Sequence, residues 1–528
     1  MRFLEKNIGI FVIMNLLLAG IITGCTEKAQ KDSTGTTRIG RHGILHKADW
    51  TKEIPVIPSE REQKKKEMAE RMDVAGLIST GRVVVDKNPA MLNPPENLAQ
   101  SSSRGYVIAK EPPVVEFAVI PVEPVYLAKS PVESKSDSPN IPGPWSNYTQ
   151  STYDTRTGKF YSSVGDHSMY GAHLHIVEYD PAAKKVRCLP EINKVIGRSK
   201  YQYSDGKLHG WLDFYQSKHL NSLHLWFCTY WAKYPEPDEE DYATGYVGGH
   251  IMSCDVLTGD MVDYGVPLVR ASWPYHRVDT KRGILYAVGM FGEFLVWDIN
   301  EQKTRWAGYL PKGMGWYERA ILIDEKTGMV YTTNRDSRSD PELHFIKYDP
   351  FKNRFSKLDC HVPPDREPAL KGKAGHHTHM RAQTSCRGSD GLFWCITSGG
   401  ELFTFDPENE VIVDKGLSGP GTRRYTCSMD RSPGGRYLYY VPGDYHEGSP
   451  VIQYDTRTDT IKVLAFMFPY YHEKYGYTAD STYSVKLDDK GERLLIIWNG
   501  AFVEDAYIHN FRLSSVMVVN IPESERIE

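Results

Sequence analysis

The chain has 528 residues, enough for about three or four ordinary domains or for one domain built from repeats. Lys and Arg number 63 against 67 Asp and Glu. The net charge of −4 gives no basic field for a nucleic acid, and we expect no nucleic-acid partner. A hydrophobic fraction of 40% with 25% charged residues excludes wholesale disorder. With 33 Tyr, 44 Gly and 32 Pro, the composition favours a β-rich chain with many turns and with rings that can stack on sugars.

The first 24 residues have the layout of a secretory signal peptide. Arg2 and Lys6 give a short positive region, and the apolar run over 8–22 is shorter than a comfortable membrane-spanning helix. The run leads into Ile-Thr-Gly-Cys, ending at Cys25, which resembles the lipobox of bacterial lipoproteins. We therefore predict a signal peptide over 1–24 and lipidation of Cys25. The lipid would anchor the chain in the bacterial cell envelope, at the outer membrane or cell surface, in an oxidising compartment. A plain signal peptide with an accidental Cys is the alternative.

Residues 25–145 are predicted to be a tether followed by an extension that wraps the main domain. One surface helix is predicted over 59–78, because Ser59 can serve as its N-cap and Glu62 stands at the capping-box position. The remainder is rich in Pro and Ser and holds one β-like stretch over 114–126.

Seven cysteines remain after Cys25, and none belongs to a CxxC motif. An odd number excludes complete pairing. The dispersed positions predict small buried strand residues, although Cys386 and Cys395 could form a bridge across one hairpin.

From about residue 146 onward the chain repeats one pattern: a strand ends in an apolar residue, then Asp or Asn, then a turn. Hairpin-like elements such as DTKRGILYAVG and DEKTGMVYTTN precede most of these endings. Units of this size with about four short strands each are typical of β-propeller blades. Seven endings predict an all-β, seven-bladed propeller over 146–528, with a multi-sheet β-sandwich array as the alternative. The Asp or Asn positions are Asp180, Asp255, Asp298, Asp349, Asp406, Asp455 and Asn520.

Blades two to six each open with His, Tyr or Arg, where a structural strand more often starts with Thr or Val. A lone residue of this kind is usually structural, but five in equivalent positions favour side chains that line a common funnel. The openings include His209, His276, Tyr317, Arg319, His377, His379, Arg381, Arg424 and Tyr425.

This set of side chains fits β-elimination from a uronate. The reaction needs a positive or hydrogen-bonding group to neutralise the carboxylate, a base such as neutral His for the C5 proton, and an acid such as Tyr for the leaving oxygen. The sequence offers no nucleophile elbow, phosphate-binding Gly loop or dinucleotide fingerprint, and no carboxylate pair of glycosidase type stands out. Basic groups over an aromatic-lined channel also suit an acidic polysaccharide as partner.

Four segments resemble the ulvan lyases and related seven-bladed polysaccharide lyases, a group whose propeller relatives include rhamnosidases that act next to glucuronic acid. The segments are GDHSMYGAHLHIVEYDP (165–181), DGKLHGWL (205–212), ATGYVGGHIMSCD (243–255) and WPYHRVDTKRGILYAVG (273–289). The resemblance covers much of residues 146–420 and implies a polysaccharide lyase.

The resemblance also implies roles for individual residues. His209 would be the general base, with His167 as its partner or alternative, and Tyr246 would be the acid or combined acid and base. Four further residues would bind the substrate: Arg270 and His276 at the uronate carboxylate, Tyr317, and Trp211.

The His-His-Thr-His segment is a candidate metal site. His377 and His379 would point to one face of a strand, as two imidazole ligands of one metal require. Cys360 or His344 could contribute from the adjacent blade, and the resemblance implies a structural zinc there. The alternatives are channel-facing substrate ligands or buried histidines bonded to backbone.

Two classes of function therefore remain. The first is an enzyme, either a lyase or a related rhamnosidase-like glycoside hydrolase. The second is a non-catalytic, glycan-binding propeller on the cell surface. A lyase forms an unsaturated uronate that absorbs ultraviolet light, whereas a hydrolase releases reducing sugar without that absorbance and a binder does neither.

Overall fold

The computed structural model describes residues 37–39, 43–45, 77, 81–96, 98, 104–121, 146–166, 170–199, 201–231, 236–315, 318–334, 339–368, 373–502 and 513–526. The chain divides into two units, residues 1–62 and 63–528. The signal peptide, Cys25 and, apart from Leu77, the predicted helix over 59–78 lie outside the described residues.

In the first unit, two short strands, β1 and β2, pair as an antiparallel hairpin. Three further strands precede residue 146 and belong to the second unit. The five strands are β1 Thr37–Ile39, β2 Gly43–Leu45, β3 Val84–Asp86, β4 Tyr106–Ile108 and β5 Val114–Val119.

The second unit is a seven-bladed β-propeller, as predicted from the repeat. Blade one consists of β6 Thr152–Asp154, β7 Lys159–Gly165, β8 Leu174–Asp180 and β9 Lys185–Cys188. A short ladder of β10 Asp205–Lys207 and β13 Tyr230–Trp231 accompanies blade two, which consists of β11 Asp213–Tyr215, β12 His224–Cys228, β14 Ile251–Cys254 and β15 Met261–Asp263. Blade three consists of β16 Tyr275–Asp279, β17 Ile284–Val288, β18 Glu293–Asp298 and β19 Lys303–Tyr309.

The remaining blades keep the same antiparallel order. Blade four consists of β20 Leu322–Ile323, β21 Val330–Thr333, β22 His344–Asp349 and β23 Arg354–His361. Blade five consists of β24 Met380–Gln383, β25 Phe393–Thr397, β26 Glu401–Asp406 and β27 Val411–Leu417. Blade six consists of β28 Met429–Arg431, β29 Tyr437–Tyr440, β30 Pro450–Asp455 and β31 Thr460–Phe466, with β4 as a fifth, parallel strand. Blade seven begins with β32 Tyr477–Leu487, β33 Arg493–Phe502 and β34 Ser515–Asn520.

The repeated Asp marks the end of the third strand of a blade. In blade one, Asp180 Oδ1 accepts hydrogen bonds from the backbone N–H groups of Ala182 and Ala183 at 3.0 and 2.9 Å. The carboxylate thereby fixes the turn into the fourth strand, as Asx turns do. The same kind of bond is made by Asp255, Asp298, Asp349, Asp406 and Asp455.

Each interface between neighbouring blades contains an apolar core. β17 and β18 of blade three are buried at every position, whereas the outer strand β19 carries exposed residues. One blade cannot cover both of its own apolar faces, so each blade is stabilised by the neighbours that cover it. Seven clusters of buried side chains lie between successive blades, including the pair formed by blades seven and one.

The ring is closed by a strand from the N-terminal extension. β34 pairs on one side with β33 and on the other with β5, and β3 pairs with β5 in turn. The outermost strands of blade seven therefore precede residue 146. The β-like stretch predicted over 114–126 contains β5, but the sequence had assigned it to a wrapping extension and not to a blade. Asn520, the seventh repeat position, donates to the carbonyl of Val114 in β5 at 3.2 Å instead of fixing a turn.

Helices are few and short among the described residues. They are α1 Ile192–Ile196, α2 Glu239–Ala243 and α3 Tyr470–Tyr475, with 3-10 turns at Pro89–Leu92, Tyr445–Glu447 and Glu523–Glu525. None of the helices in the described part of the chain is long and apolar enough to span a membrane. The seven cysteines after Cys25 are all free, so Cys386 and Cys395 form no bridge.

Phe117 of β5 tests the closure of the ring. Its ring is fully buried and stands 5.0 Å from that of Tyr471, 5.5 Å from Tyr475 and 5.3 Å from Tyr477. We expect Phe117→Ala to lower the free energy of unfolding by about 3–5 kcal/mol, as measured by urea denaturation. Val85→Ala in β3, at a side chain that is 49% exposed, is the control and should change it by less than about 0.5 kcal/mol. If the two variants had the same midpoint of urea unfolding, β5 would not be part of the cooperatively folded structure.

Candidate functional site

One edge of the ring carries most of the described residues that the sequence selected. Because successive strands of a blade are antiparallel, the first strand begins where the second ends and the third begins. The segments that lead into blades one to three run side by side, since Gln150 N–H donates to Gly210 and Trp211 N–H donates to His276, both at 3.1 Å. We call this edge the upper face. His209 lies in one of these segments, and Tyr246 lies between the second and third strands of blade two.

Polar side chains form hydrogen bonds between blades that are not neighbours in the ring. Tyr275 of blade three accepts a hydrogen bond from the amide nitrogen of Gln383 of blade five. Two residues further along both strands, Arg277 donates to the carbonyl of Ser385 at 2.9 Å. These bonds join blades three and five at that level.

A second set of hydrogen bonds lies at the same level and begins with a side chain of blade one. The side-chain amide of Gln150 donates to the backbone carbonyls of Cys427 and Tyr483, each at 2.9 Å. The indole of Trp211 donates to Tyr275 at 2.6 Å. We call Gln150, Trp211, Tyr275 and Gln383 the channel floor. Trp211, a predicted substrate ligand, is 3% exposed and belongs to this floor.

Above the floor, His209 lies between two tyrosine rings. Its ring centroid is 4.7 Å from that of Tyr148 and 4.8 Å from that of Tyr230. The ammonium nitrogen of Lys207 is 5.3 Å from the Tyr148 ring and 5.5 Å from the Tyr230 ring, within the range of cation–π attraction. A base candidate, two phenols and a cationic side chain therefore form one group of contacts.

The local fold of blade two explains this placement. Its second strand, β12, continues beyond Thr229 as β13, and β10 pairs with that continuation, with Lys207 opposite Tyr230. The ladder holds these two side chains together. His209 follows Lys207 by two residues, at a spacing that returns to the same side of an extended chain.

The opposite wall carries a second cation and two more phenols. Arg381 Nε donates to the Tyr425 hydroxyl at 2.9 Å, and the Arg381 guanidinium lies 5.3 Å from the Tyr483 ring centroid. The Tyr483 ring is 4.7 Å from that of Tyr148, which joins the two walls. We define the channel cluster as the eight residues Tyr148, Lys207, His209, Tyr230, Arg319, Arg381, Tyr425 and Tyr483.

Two guanidinium groups, those of Arg319 and Arg381, are the permanent positive charges of the channel cluster. Burial is the main reason that the pKa of Lys207 lies well below its ordinary value, the charge of Arg319 lowers it further, and Asp166 opposes the change. Burial raises the pKa of Tyr148, so this phenol stays protonated at neutral pH, although Arg319 partly offsets the effect. The cluster is suited to bind an anion and to donate a phenolic proton.

Tyr246, the predicted acid, is not a member of the channel cluster. It is 1% exposed, and its hydroxyl donates to Asp205 at 2.8 Å. Burial raises its pKa well above the ordinary value, and the Asp205 charge raises it further. Tyr246 and Tyr230 belong to one apolar group of buried side chains. Tyr246 is therefore linked to His209 through Tyr230.

Arg270 is on the upper face but at its outer rim. It is exposed, forms an ion pair with Glu239 at 2.7 Å, and places its guanidinium 4.2 Å from the Tyr242 ring centroid. The Tyr242 ring is 6.1 Å from that of Tyr246. Arg270 is thus not brought into the channel cluster.

His276 does not fit the role of a carboxylate ligand, and this is a correction. The residue is fully buried, and neither ring nitrogen has a hydrogen-bond partner among the described residues. Burial lowers its pKa to about 3, so the imidazole is neutral at physiological pH and cannot supply a positive charge. His167, the predicted partner or alternative to the base, and Tyr317, a predicted substrate ligand, lie outside the described residues.

The predicted zinc ligands do not assemble. The His377 ring donates to the Val362 carbonyl at 2.8 Å, and the His379 ring is 3.3 Å from Ser398 Oγ. Cys360 packs against the apolar core between blades four and five, and burial raises its pKa to about 11, which disfavours the thiolate. Within the described ranges, no group of three or more His, Cys, Asp or Glu residues could hold a metal ion. We therefore derive no step through zinc.

The sequence had placed only part of the channel cluster in a functional role. His209 was selected, and Arg319, Arg381 and Tyr425 lie in the blade openings that were expected to converge. Lys207 lies in the quoted segment DGKLHGWL, where its spacing from His209 was the available signal. Tyr148, Tyr230 and Tyr483 carry no such signal, because their contacts come from segments distant in sequence.

Gly210 tests the packing beneath His209. An added Cβ at Gly210 would stand 2.3 Å from Nδ1 of His276. We expect Gly210→Ala to lower the free energy of unfolding by about 1–3 kcal/mol through overpacking. Part of this loss should be recovered in the double variant with His276→Ala, a non-additivity measured by a double-mutant cycle. Gly105→Ala, where nothing lies within 4 Å of the added atom, is the control. Simple additivity would show that the two positions do not meet.

The chain was compared with known proteins. No protein-family model matches it. No curated protein sequence matches it either. The resemblance to polysaccharide lyases therefore rests on the quoted segments, and the chemistry must be argued from the residues of the channel cluster.

Proposed function

We propose that the protein is a polysaccharide lyase that cleaves uronate-containing polysaccharide by β-elimination. The observation that carries the proposal is the placement of His209 between Tyr148 and Tyr230, beside Lys207 and above the channel floor. These residues supply a base, proton-donating phenols and an amine within one group of contacts. The wider channel cluster adds Arg319 and Arg381 as positive groups.

In this mechanism the substrate carboxylate binds among the cationic side chains. Their positive charge stabilises the negative charge that develops when C5 loses its proton. His209 accepts that proton, the electron pair of the C5–H bond forms the C4–C5 double bond, and the C4–O bond breaks. A phenol donates a proton to the leaving oxygen, so the products are an unsaturated uronate and a new chain end.

Tyr148 is the phenol that best fits the proton donor. Its ring contacts that of His209 directly, with the two ring centroids 4.7 Å apart. The predicted donor Tyr246 would first have to leave its hydrogen bond to Asp205. The proposal therefore moves the acid from Tyr246 to Tyr148.

We also propose that the enzyme acts in the cell envelope, held by a lipid on Cys25. The positively charged and apolar N-terminal residues and the lipobox-like ending support this location. Extracellular polysaccharide would then be accessible, and the lipid would be the connection to the membrane.

The proposed function is tested with a panel of acidic polysaccharides. We expect wild-type protein to generate ultraviolet absorbance from the unsaturated product, and His209→Ala to reduce kcat by about 10²–10⁴-fold. His224→Ala, which removes another buried histidine of blade two, is the matched control and should retain activity. Reducing sugar without absorbance would indicate a hydrolase, and binding without either product would indicate a glycan-binding protein. Full activity of His209→Ala would exclude His209 as the base.

The choice between the two tyrosines is tested separately. We expect Tyr148→Phe to reduce kcat by about 10²-fold or more, because the variant keeps the ring and loses only the proton donor. Tyr246→Phe should retain most activity. Substrates with a better leaving group should restore much of the rate to the variant that lacks the true acid. If Tyr246→Phe lost more activity than Tyr148→Phe, Tyr246 would be the acid.

A further inference from the structure

Lys207 has no carboxylate partner in the described part of the chain. No ion pair joins its ammonium to Asp or Glu among these residues, whereas Lys218 of the same blade pairs with Glu301 at 2.5 Å. The Lys207 amine nitrogen lies 5.3 Å from the ring centroid of Tyr148 and 5.5 Å from that of Tyr230. Aromatic faces attract a cation only weakly compared with a carboxylate.

The other charged and titratable groups around Lys207 come from three blades. Blade one contributes Tyr148 and Asp166, blade two contributes Tyr230 and His209, and blade four contributes Arg319. Only Asp166 is acidic, and its charge is outweighed by burial and by Arg319. An incoming carboxylate would change this balance more than any resident group.

We propose that Lys207 forms the carboxylate subsite of the proposed lyase, and that an anion bound there is accompanied by uptake of one proton by the Lys207 amine. The inference rests on the proposed function and assigns the carboxylate to Lys207 in place of His276 and Arg270. The position fits, because the same two rings that face Lys207 also contact His209. A uronate carboxylate on Lys207 would therefore stand beside the base that takes the adjacent C5 proton.

The proton comes from the solvent. In the free protein the Lys207 pKa lies well below its ordinary value, and the amine is substantially neutral near and above that pKa. A bound carboxylate favours the charged form and raises the pKa. Between the free and bound pKa values one proton enters with the ligand, so affinity falls about tenfold for each unit of increasing pH. Below the pKa that Lys207 has in the free protein, the amine is already charged. The affinity for the carboxylate then no longer changes with pH through Lys207.

The probe is methyl β-glucuronide, which carries the carboxylate but has no sugar linked at C4 and cannot be cleaved. Binding to the full-length protein is measured by titration calorimetry in buffers of different ionisation enthalpy. The slope of the observed enthalpy against the buffer enthalpy gives the number of protons taken up. Methyl β-glucoside, which lacks the carboxylate, is the ligand control.

We expect uptake of about one proton for wild type with the glucuronide and none with the glucoside. Lys207→Met should bind the glucuronide at least tenfold more weakly and without proton uptake. Lys207→Arg should keep binding but lose the proton uptake, because guanidinium is always charged. Lys218→Met is the matched control and should behave as wild type. Circular dichroism of each variant verifies folding.

Three results would overturn the proposal. They are equal affinity and proton uptake in wild type and Lys207→Met, glucuronide binding to wild type without proton uptake, and no glucuronide binding to wild type up to the solubility limit. The ultraviolet assay separates this failure from failure of the proposed function. If Lys207→Met kept full lyase activity, the carboxylate subsite at Lys207 would be excluded and the proposed lyase function would stand.

Discussion

A four-stranded sheet with two apolar faces is stable only when both faces are covered, and the whole architecture depends on that requirement. Each blade meets it by packing against the next, which gives one buried core at every interface. A row of such sheets would leave two faces exposed at its ends. The ring removes those ends, and the core between blades seven and one is its closure. β5 completes the hydrogen bonding of blade seven at the same place.

Closure also determines where chemistry can occur. The ring brings the first strands of seven blades around one axis, so residues far apart in the chain face one another. Tyr275 of blade three and Gln383 of blade five form a hydrogen bond, and Tyr148 and Tyr483 meet although 335 positions separate them. Polar bonds fill the channel floor, and the cationic and phenolic side chains of the channel cluster lie above it.

Much of the fold could be predicted from local patterns. Asp180 and its equivalents fix turns through bonds to the next few residues, so their repetition counted the blades correctly. Less of the candidate site could be predicted from the sequence. Alternate residues of a strand face opposite sides, so the sequence could not tell which histidine of a blade opening faces the channel. His209 faces the channel, whereas His276 is buried next to Gly210. Cys360, a predicted zinc ligand, packs against the apolar core between blades four and five.

The sequence by itself determined the hairpins, the turns and the number of repeated units, because these depend on residues within a few positions of one another. Tertiary structure alone decided that a strand near the N-terminus completes the last blade. It also decided which polar side chains share the channel and how readily each holds its proton. Lys207 shows the reason: its charge is governed by Arg319 and by burial among rings from other segments. Such long-range neighbours are set by the packing of the ring, and local sequence does not encode them.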